Sequence, residues 1–264
     1  MPARYPERIV CLTEETTETL YLLGEERRIV GISGYTVRPP RARREKPRVS
    51  AFLSAQQEKI LALEPDLVLA FSDLQRDIVR DLIGAGVPVL CTNQRSFDDV
   101  LNAILLIGGA LGCEQRAREL IGDMQDELRQ VREYSAAWPD RPRVYFEEWM
   151  DPLISGIRWV SEAIEIAGGR DVFAELRDEP AAPDRIVASD AVVARDPQII
   201  LASWCGKPVD VAAIRRRRGW DQIAAVKTSQ IYAIDGADIL APGPSLVHGV
   251  RRIHEIIQAF HARG

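Results

Sequence analysis

The sequence contains no long hydrophobic segment. No uninterrupted apolar run reaches the roughly 20 residues that a membrane-spanning helix needs. The N-terminal stretch MPARYPERIV also lacks the apolar core of a secretory signal. The chain as it stands therefore predicts a soluble, cytoplasmic protein, and removal of a leader would instead predict a periplasmic or cell-surface one.

Cysteine is scarce and scattered. The four cysteines occur singly, with no C-x-x-C pair and no histidine at metal-ligand spacing: Cys11, Cys91, Cys113 and Cys205. We therefore expect free, buried thiols and no metal centre built by the protein. A G-x-S-x-G elbow, a Walker loop and a G-x-G-x-x-G loop are also absent from the sequence, which leaves Cys205 as the one reactive side chain in a position suited to catalysis.

Neither positive nor negative charge is in large excess. Thirty-four basic and 39 acidic residues give a net charge of −5, which disfavours nucleic acid or an anionic membrane as the main partner. The run from Arg215 to Arg218 is typical of a solvated last helical turn. His254 and His261 share a face of the last predicted helix without a matched acid motif, so they are expected to be solvated rather than metal ligands.

One long segment shows a single helical stripe. From Glu114 to Ala137 the apolar residues recur at three- and four-residue steps with no interior proline, and Pro139 and Pro142 then end the pattern. We interpret this segment as a connecting helix. It divides the chain into an N-terminal lobe at 1–112, the helix at 113–138 and a C-terminal lobe at 139–264.

Both flanking halves alternate strands and helices. Predicted strands in the first half are 8–12, 29–33, 67–71 and 87–91, and in the second 143–146, 198–202 and 230–234. A helix, acid-proline turn and buried strand recur as EKILALEPDLVLA at 58–70 and DAVVARDPQIILA at 190–202, an offset of 132 residues. The predicted fold is α/β, with two Rossmann-like lobes of parallel sheet joined by one long helix.

Aromatic residues follow several predicted strands. In open α/β sheets ligands bind at the carboxyl ends of the strands, so we expect a ligand cleft between the lobes. The aromatic candidates there are Tyr35, Phe52, Phe71, Trp149 and Trp204. Each is equally consistent with a core position, but together they favour a wide pocket for a large apolar or ring-shaped ligand.

Six segments carry a resemblance to a known family: IVCLTEETTETLYLLG, GISGYTVRPP, EPDLVLAF, FEEWMDPLISGIRWVSEAIEIAGG, SWCGKP and APGPSLVHG. In this order they resemble the helical-backbone periplasmic binding proteins, and among these the cobalamin-binding components of ABC importers. The resemblance covers nearly the whole chain. It implies a monomeric binding protein without a catalytic cofactor, whose ligand is a corrinoid and whose partner is an ABC permease.

The resemblance also implies roles for particular residues. Tyr35, Phe52 and Phe71 would form the first-lobe wall, Trp149 would face them from the second lobe, and Asp238 would hold the edge of the ligand. Polar partners for the amide side chains of a corrinoid are expected at Glu15, Ser155 and the Gly156 backbone. His248, which follows the APGPS loop, is a candidate for approaching the ligand's metal.

Two acids at equivalent repeat positions have two interpretations. Glu58 and Asp190 lie 132 residues apart, and the resemblance implies that one exposed acid on each lobe pairs with arginines of the permease. Alternatively, both simply stabilise helix N-termini. Among functions, a siderophore, haem or other metal-chelate binder is the alternative of the same class. A cytosolic enzyme or chaperone that handles a corrinoid is the alternative of a different class.

Overall fold

The computed structural model describes residues 4–263, so Met1 to Ala3 of the N-terminal stretch considered above, and Gly264, lie outside the described residues. The chain forms two compact units. The first runs to Met124 and includes Pro242–Pro244, and the second comprises Gln125–Ala241 and the chain from Ser245 onward. We call them the first lobe and the second lobe.

The first lobe is built on a six-stranded sheet in the order β4-β3-β2-β1-β5-β6. All neighbouring strands are parallel except β3 and β4, which are antiparallel. The elements are β1 Ile9–Cys11, α1 Glu14–Leu22, β2 Ile29–Ser33, α2 Ala42–Glu45, β3 Arg48–Ala51, β4 Ser54–Ala55, α3 Gln57–Leu61, β5 Leu67–Phe71, α4 Arg76–Gly84, β6 Val89–Thr92 and α5 Phe97–Leu111.

The adjacent strands β1 and β5 in the middle of this sheet carry no polar residue other than Cys11, as is typical of a parallel sheet that helices cover on both faces. Every residue of β5, LVLAF, is buried. The strand β6 begins directly after Pro88 and lies at the edge of the sheet, where a proline without an N–H group is tolerated. The helix that follows, α5, begins with a capping box in which Ser96 and Asp99 each accept a backbone hydrogen bond from the other.

The second lobe has a five-stranded sheet in the order β11-β10-β7-β8, with β9 pairing β7. Its elements are β7 Arg143–Met150, β8 Leu153–Ser155, α7 Arg158–Ile166, β9 Arg170–Asp171, α8 Ser189–Arg195, β10 Ile199–Ala202, α9 Val211–Arg215, α10 Ala224–Lys227, β11 Ile231–Ala233, α11 Gly236–Ile239 and α12 Leu246–His261, after the long helix α6, Glu114–Ala136. The mixed α/β class with parallel-rich sheets in two lobes is as predicted.

The internal repeat extends to backbone geometry and hydrogen bonds. Glu64 and Asp196, 132 residues apart, both adopt positive φ, 47° and 41°. Arg8, just before β1, donates from Nε to the Glu64 carbonyl at 3.0 Å, and Arg143, at the start of β7, donates from Nε to the Asp196 carbonyl at 2.8 Å. In each lobe, therefore, an arginine at the start of a strand donates a hydrogen bond to the turn residue with positive φ. This shared contact supports the internal repeat recognised in the sequence.

The long helix α6 ends one residue earlier than predicted, and its apolar stripe is buried only in part. Ala117, Met124 and Leu128 are buried, but Tyr134, assigned to the same stripe, is 63% exposed. Its neighbour Ser135 is buried instead and donates a hydrogen bond to the Ile166 carbonyl at 3.3 Å. Among residues 4–263, none of the helices combines the length and the apolar character required to cross a bilayer.

Candidate ligand-binding site

The carboxyl edge of the first sheet carries an exposed apolar group. Tyr35 follows β2 and is 57% exposed, and Leu53 follows β3 and is 68% exposed. Phe52 beside it is partly buried, with its ring centroid 6.3 Å from that of Phe71 at the end of β5. The structure thus brings Phe52 and Phe71 together and places Tyr35 at the same edge. Phe71 itself is only 4% exposed.

A fully buried glutamine holds this part of the edge in place. Gln75 donates from Nε2 to the Phe52 carbonyl at 2.9 Å and accepts a bond from the Phe71 backbone N–H at 3.0 Å. Because β3 and β5 are separated by two strands in the sheet, this amide fixes the loop after β3 against the end of β5.

Arg95 covers the face of Phe71. Its guanidinium carbon lies 5.3 Å from the ring centroid, and its Nη2 donates to the Asp73 carboxylate at 3.0 Å. The Arg95 side chain retains 19% exposure, whereas that of Asp73 is 63% exposed. The group that this strand end presents to solvent therefore includes a cation as well as aromatic rings.

Glu15, expected to contact a ligand, lies inside the first lobe. It is 5% exposed, it accepts a hydrogen bond from the Thr13 hydroxyl at 2.5 Å, and it packs against Gly243. Desolvation by burial raises the pKa of the carboxyl to about 7, against a smaller lowering by the Thr13 hydrogen bond. This burial leaves little of the side chain for a ligand to touch.

In the second lobe the two candidate tryptophans have different surroundings. Trp149, near the end of β7, is partly exposed and donates from its indole to the Asp151 carbonyl at 3.0 Å. Lys207 lies above its ring, with Nζ 4.9 Å from the centroid. Trp204 is 6% exposed and belongs to the hydrophobic core of this lobe. Only Trp149 offers a substantial surface to a ligand.

A buried ion pair anchors Trp204. Glu147 is fully buried at the register position opposite Ala202, and it accepts from the Trp204 indole at 3.0 Å and from Arg217 Nη2 at 2.9 Å. Arg217 also stacks on Trp220 at 4.6 Å. The prediction that the whole arginine run is solvated is thus wrong for Arg217, because the fully buried carboxylate of Glu147 needs a charge partner.

Ser155 and Gly156 are also enclosed. The Ser155 hydroxyl donates to the Arg185 carbonyl at 3.2 Å, and a side chain at Gly156 would meet Val160. Arg185, which is 2% exposed, donates to the Glu148 carboxylate at 2.7 and 3.1 Å. Both candidates are therefore part of the packing under the β7–β8 hairpin.

Asp238 and His248 lie near each other. The imidazole Nδ1 of His248 is 3.8 Å from the Asp238 carboxylate, and the two side chains are 53% and 17% exposed, respectively. Within residues 4–263 no three histidine, cysteine or acidic side chains are grouped closely enough to hold a metal ion.

The other histidines and the thiols differ from expectation. His254 and His261 were expected to be solvated, but each packs on Trp138 with ring centroids 4.8 Å apart. Cys11 and Cys113 are buried as predicted, whereas Cys91 and Cys205 are exposed, because Cys91 lies on the edge strand β6 and Cys205 in a surface turn. Desolvation raises the pKa of the Cys205 thiol, which opposes thiolate formation.

Glu58 and Asp190 occupy matching places. Each is the second residue of its helix, α3 or α8, and each is exposed. This position fits both interpretations offered above, a helix-terminus charge and a docking charge.

The fold and the apolar strand ends define a two-lobed α/β ligand-binding protein. Residues 9–237 match the model of the family described as periplasmic binding protein, and the chain belongs to that family.

Relatives and solved structures agree with this placement. An uncharacterised ABC transporter substrate-binding lipoprotein of Bacillus subtilis, YvrC, is 28% identical over 96% of this chain and 80% of its own length. A cobalamin-binding protein of Halobacterium salinarum is 26% identical over 97% of this chain and 70% of its own.

Two solved structures share the fold. The periplasmic vitamin B12 binding protein BtuF of Vibrio cholerae superposes with a TM-score of 0.78 at 23% identity, covering 97% of this chain and 98% of that one. The periplasmic haem-binding protein RhuT from Roseiflexus has a TM-score of 0.80 at 23% identity, covering 95% and 98%. At this identity the likeness establishes the fold alone.

Proposed function

We propose that the protein binds a corrinoid, cobalamin or a close relative, as the substrate-binding component of an ABC uptake system, and that it has no catalytic role. The observation that carries the proposal is the apolar group at the carboxyl edge of the first sheet, in which Tyr35 and Leu53 are exposed and Phe52 is partly buried. Large rings left exposed by a folded lobe are typical of a ligand or partner surface.

The chemistry of this edge suits a broad ring system. Aromatic faces contribute contact area with few rotatable bonds, and the backbone at Phe52 is fixed by a hydrogen bond from Gln75. Trp149 supplies a comparable surface on the second lobe. The relatives named for cobalamin or vitamin B12 binding support the same ligand class.

Haem or another metal chelate is the second candidate. It is favoured by the equally close structural likeness to a haem binder. The same aromatic surfaces would serve a porphyrin, so the ligand test includes both macrocycles.

Substitution of the most exposed ring tests the proposed wall. Tyr35→Ala is expected to weaken cobalamin binding by about 2 kcal/mol, as loss of an aromatic anchor does, with little change in thermal stability because the ring is largely solvated. Tyr134→Ala is the matched control, since that ring is 63% exposed on α6. Equal affinities for wild type and Tyr35→Ala would remove Tyr35 from the wall.

We propose that the protein docks on its ABC permease through Glu58 and Asp190. Charge reversal at either position should abolish uptake of labelled cobalamin by cells without changing ligand affinity in the purified protein. Glu133→Arg, on an exposed turn of α6, is the control. Normal uptake by the double variant Glu58→Arg, Asp190→Arg would leave the two acids only their role at helix N-termini.

The proposed location is the periplasm or the cell surface. The family and the lipoprotein relative support it. Fractionation of the native host with an antibody to the protein tests it, and recovery in the cytoplasmic fraction alone would contradict it.

A further inference from the structure

The first lobe has a groove that the proposed function does not use. The groove has a volume of about 430 Å³ and is lined by residues of α4, of the end of β6 and of the turn after β5. The described residues that line it do not include Tyr35, Phe52 or Phe71. Sites for small molecules typically have volumes of about 300–1,000 Å³. The groove is therefore large enough for a ligand of its own.

One wall of the groove is a stripe of α4. Arg76, Val79 and Ile83 are spaced by three and four residues in this helix, so they lie on one face, and all three line the groove. Val79 is partly buried, whereas Ile83 is 57% exposed. The apolar part of a ligand would remove this aliphatic surface from water, which favours binding.

Arg76, at the start of the stripe, is a cation without a compensating acid. Among residues 4–263 it forms no ion pair. The other charged residues of the groove are compensated. The Asp73 carboxylate pairs with Arg95 at 3.0 Å, and Arg80 Nη1 lies 2.9 Å from the Asp77 carboxylate. An anionic group in the groove is therefore attracted to its Arg76 end.

The opposite wall has a buried hydroxyl without a partner. Thr92, the last residue of β6, lines the groove and is 8% exposed, and its Oγ1 has no hydrogen-bond partner among residues 4–263. Buried hydroxyls are rarely left in this state, so a bound molecule is expected to complete the bonding. Because Thr92 pairs in register with Phe71, at the end of β5, and α4 begins soon after that strand, Thr92 and Arg76 lie at the same end of the groove.

The turn beside Thr92 has a strained backbone. Ser72, directly after β5, lines the groove and has φ 68° and ψ 163°, a combination that is essentially confined to glycine. Its N–H donates to the Thr92 carbonyl at 2.7 Å, and its Oγ accepts from the Leu74 N–H at 3.1 Å. Strained residues of this kind concentrate at functional sites, where the surrounding structure holds them in place.

We propose that this groove binds a small amphipathic carboxylate, with the carboxylate at Arg76 and Thr92 and the apolar part against Val79 and Ile83. The proposal is carried by an unpaired guanidinium, an unpartnered buried hydroxyl and an apolar stripe that line one groove. It goes beyond the proposed function, because the site lies within the first lobe and does not depend on whether the protein binds a corrinoid.

Cys91 provides a measure of occupancy. Its thiol is exposed and it lines the groove, whereas Cys205, also exposed, belongs to the second lobe. We expect saturating octanoate to slow alkylation of Cys91 by iodoacetamide severalfold and to leave the rate at Cys205 unchanged. Mass spectrometry of the two cysteine peptides measures both rates in one sample.

Matched ligands and variants test the role of the charge. Because 1-octanol has the same chain without the carboxylate, octanoate should bind at least about tenfold more tightly, as a charge-assisted hydrogen bond provides. Arg76→Gln should remove most of that preference, and Arg76→Lys should retain part of it. Arg27→Gln, an exposed arginine that precedes β2, is the control. Titration calorimetry measures the affinities, and melting curves verify that each variant is folded.

Three results would overturn the proposal. The first is an absence of both saturable octanoate binding and protection of Cys91. The second is equal protection of Cys91 and Cys205, which would mean that octanoate acts on the protein as a whole. The third is an affinity for 1-octanol equal to that for octanoate, or a preference for octanoate that Arg76→Gln leaves unchanged, because the guanidinium would then not bind the carboxylate.

Discussion

At the scale of single residues, the protein buries ionisable groups next to its strand ends. The Glu147 carboxylate is paired with Arg217, whereas the Glu15 carboxylate accepts a hydrogen bond from the Thr13 hydroxyl and lies beside Gly243. The exposed aromatic Tyr35 was predictable because it follows a strand with polar residues after it. Arg95, Lys207 and Gln75 were not predicted, since their roles depend on loops that fold back across strand ends. The acid in the apolar run VYFEEWM was a usable signal for Glu147.

The buried ion pair of Glu147 and Arg217 predicts that removing the arginine alone costs more stability than replacing both residues. Arg217→Ala leaves the Glu147 carboxylate buried without its partner, so the free energy of unfolding should fall by about 3 kcal/mol. Arg216→Ala, the exposed neighbour, should change it little. Adding Glu147→Leu to Arg217→Ala should recover much of the loss. Urea unfolding measures all four proteins, and an Arg217→Ala cost no larger than that of Arg216→Ala would refute the structural role.

Glu15 predicts a pH dependence of stability. Its carboxyl has a folded-state pKa of about 7 against an ordinary value of 4.5, so the folded state holds an additional proton between these pH values. The free energy of unfolding therefore falls as pH rises through this interval. The same direction applies to Asp171, whose pKa desolvation raises to about 6, so part of the slope belongs to that group.

Replacing Glu15 by glutamine isolates the contribution of this carboxyl to the pH dependence of stability. Relative to wild type, Glu15→Gln should be more stable at pH 8 by on the order of 2 kcal/mol and nearly equal at pH 5. Glu58→Gln, an exposed first-turn acid, is the control and should show no such difference. Urea unfolding midpoints at pH 5 and pH 8 test this prediction. If Glu15→Gln is stabilised equally at both pH values, ionisation of Glu15 is not the cause of the stability difference.

At the scale of elements, the length of each helix or strand determined whether the sequence could predict it. The helices α5, α6 and α12 and the buried strands β5 and β10 have enough periodic or apolar residues to be recognised. Seven short elements were missed: α2, β3, β4, β8, β9, α10 and α11. Each has two to four residues, so tertiary pairing rather than local pattern defines it. The missed β7–β8 hairpin matters most, because it carries Trp149.

Two helix glycines predict opposite responses. A side chain at Gly122, in the middle of α6, would meet nothing within 4 Å, so Gly122→Ala should stabilise the protein by about 0.5–1 kcal/mol through its helix propensity. Gly108 in α5 is the control, because its added methyl would collide with Ala117. Gly108→Ala should destabilise. Thermal unfolding of both variants checks the pair, and a loss of stability in Gly122→Ala would indicate that this part of α6 is not a regular helix.

At the scale of the whole molecule, each lobe repeats one design: an arginine at a strand start, an acid at positive φ, and a buried strand whose carboxyl end leads to the candidate site. The repeat and the resemblance made the fold class predictable. Of the candidate site, the exposed aromatics were placed at strand ends as expected. Glu15, Ser155 and Trp204 lie in the interior, because side-chain burial depends on packing that one sequence does not display.

Titration calorimetry of the purified protein with cobalamin tests the central claim most directly, with haem and a ferric siderophore titrated in parallel. We predict saturable binding of cobalamin, with a negative heat-capacity change from burial of aromatic surface and a melting temperature that rises with ligand concentration. Saturable binding of haem or the siderophore, with no heat from cobalamin, would contradict it.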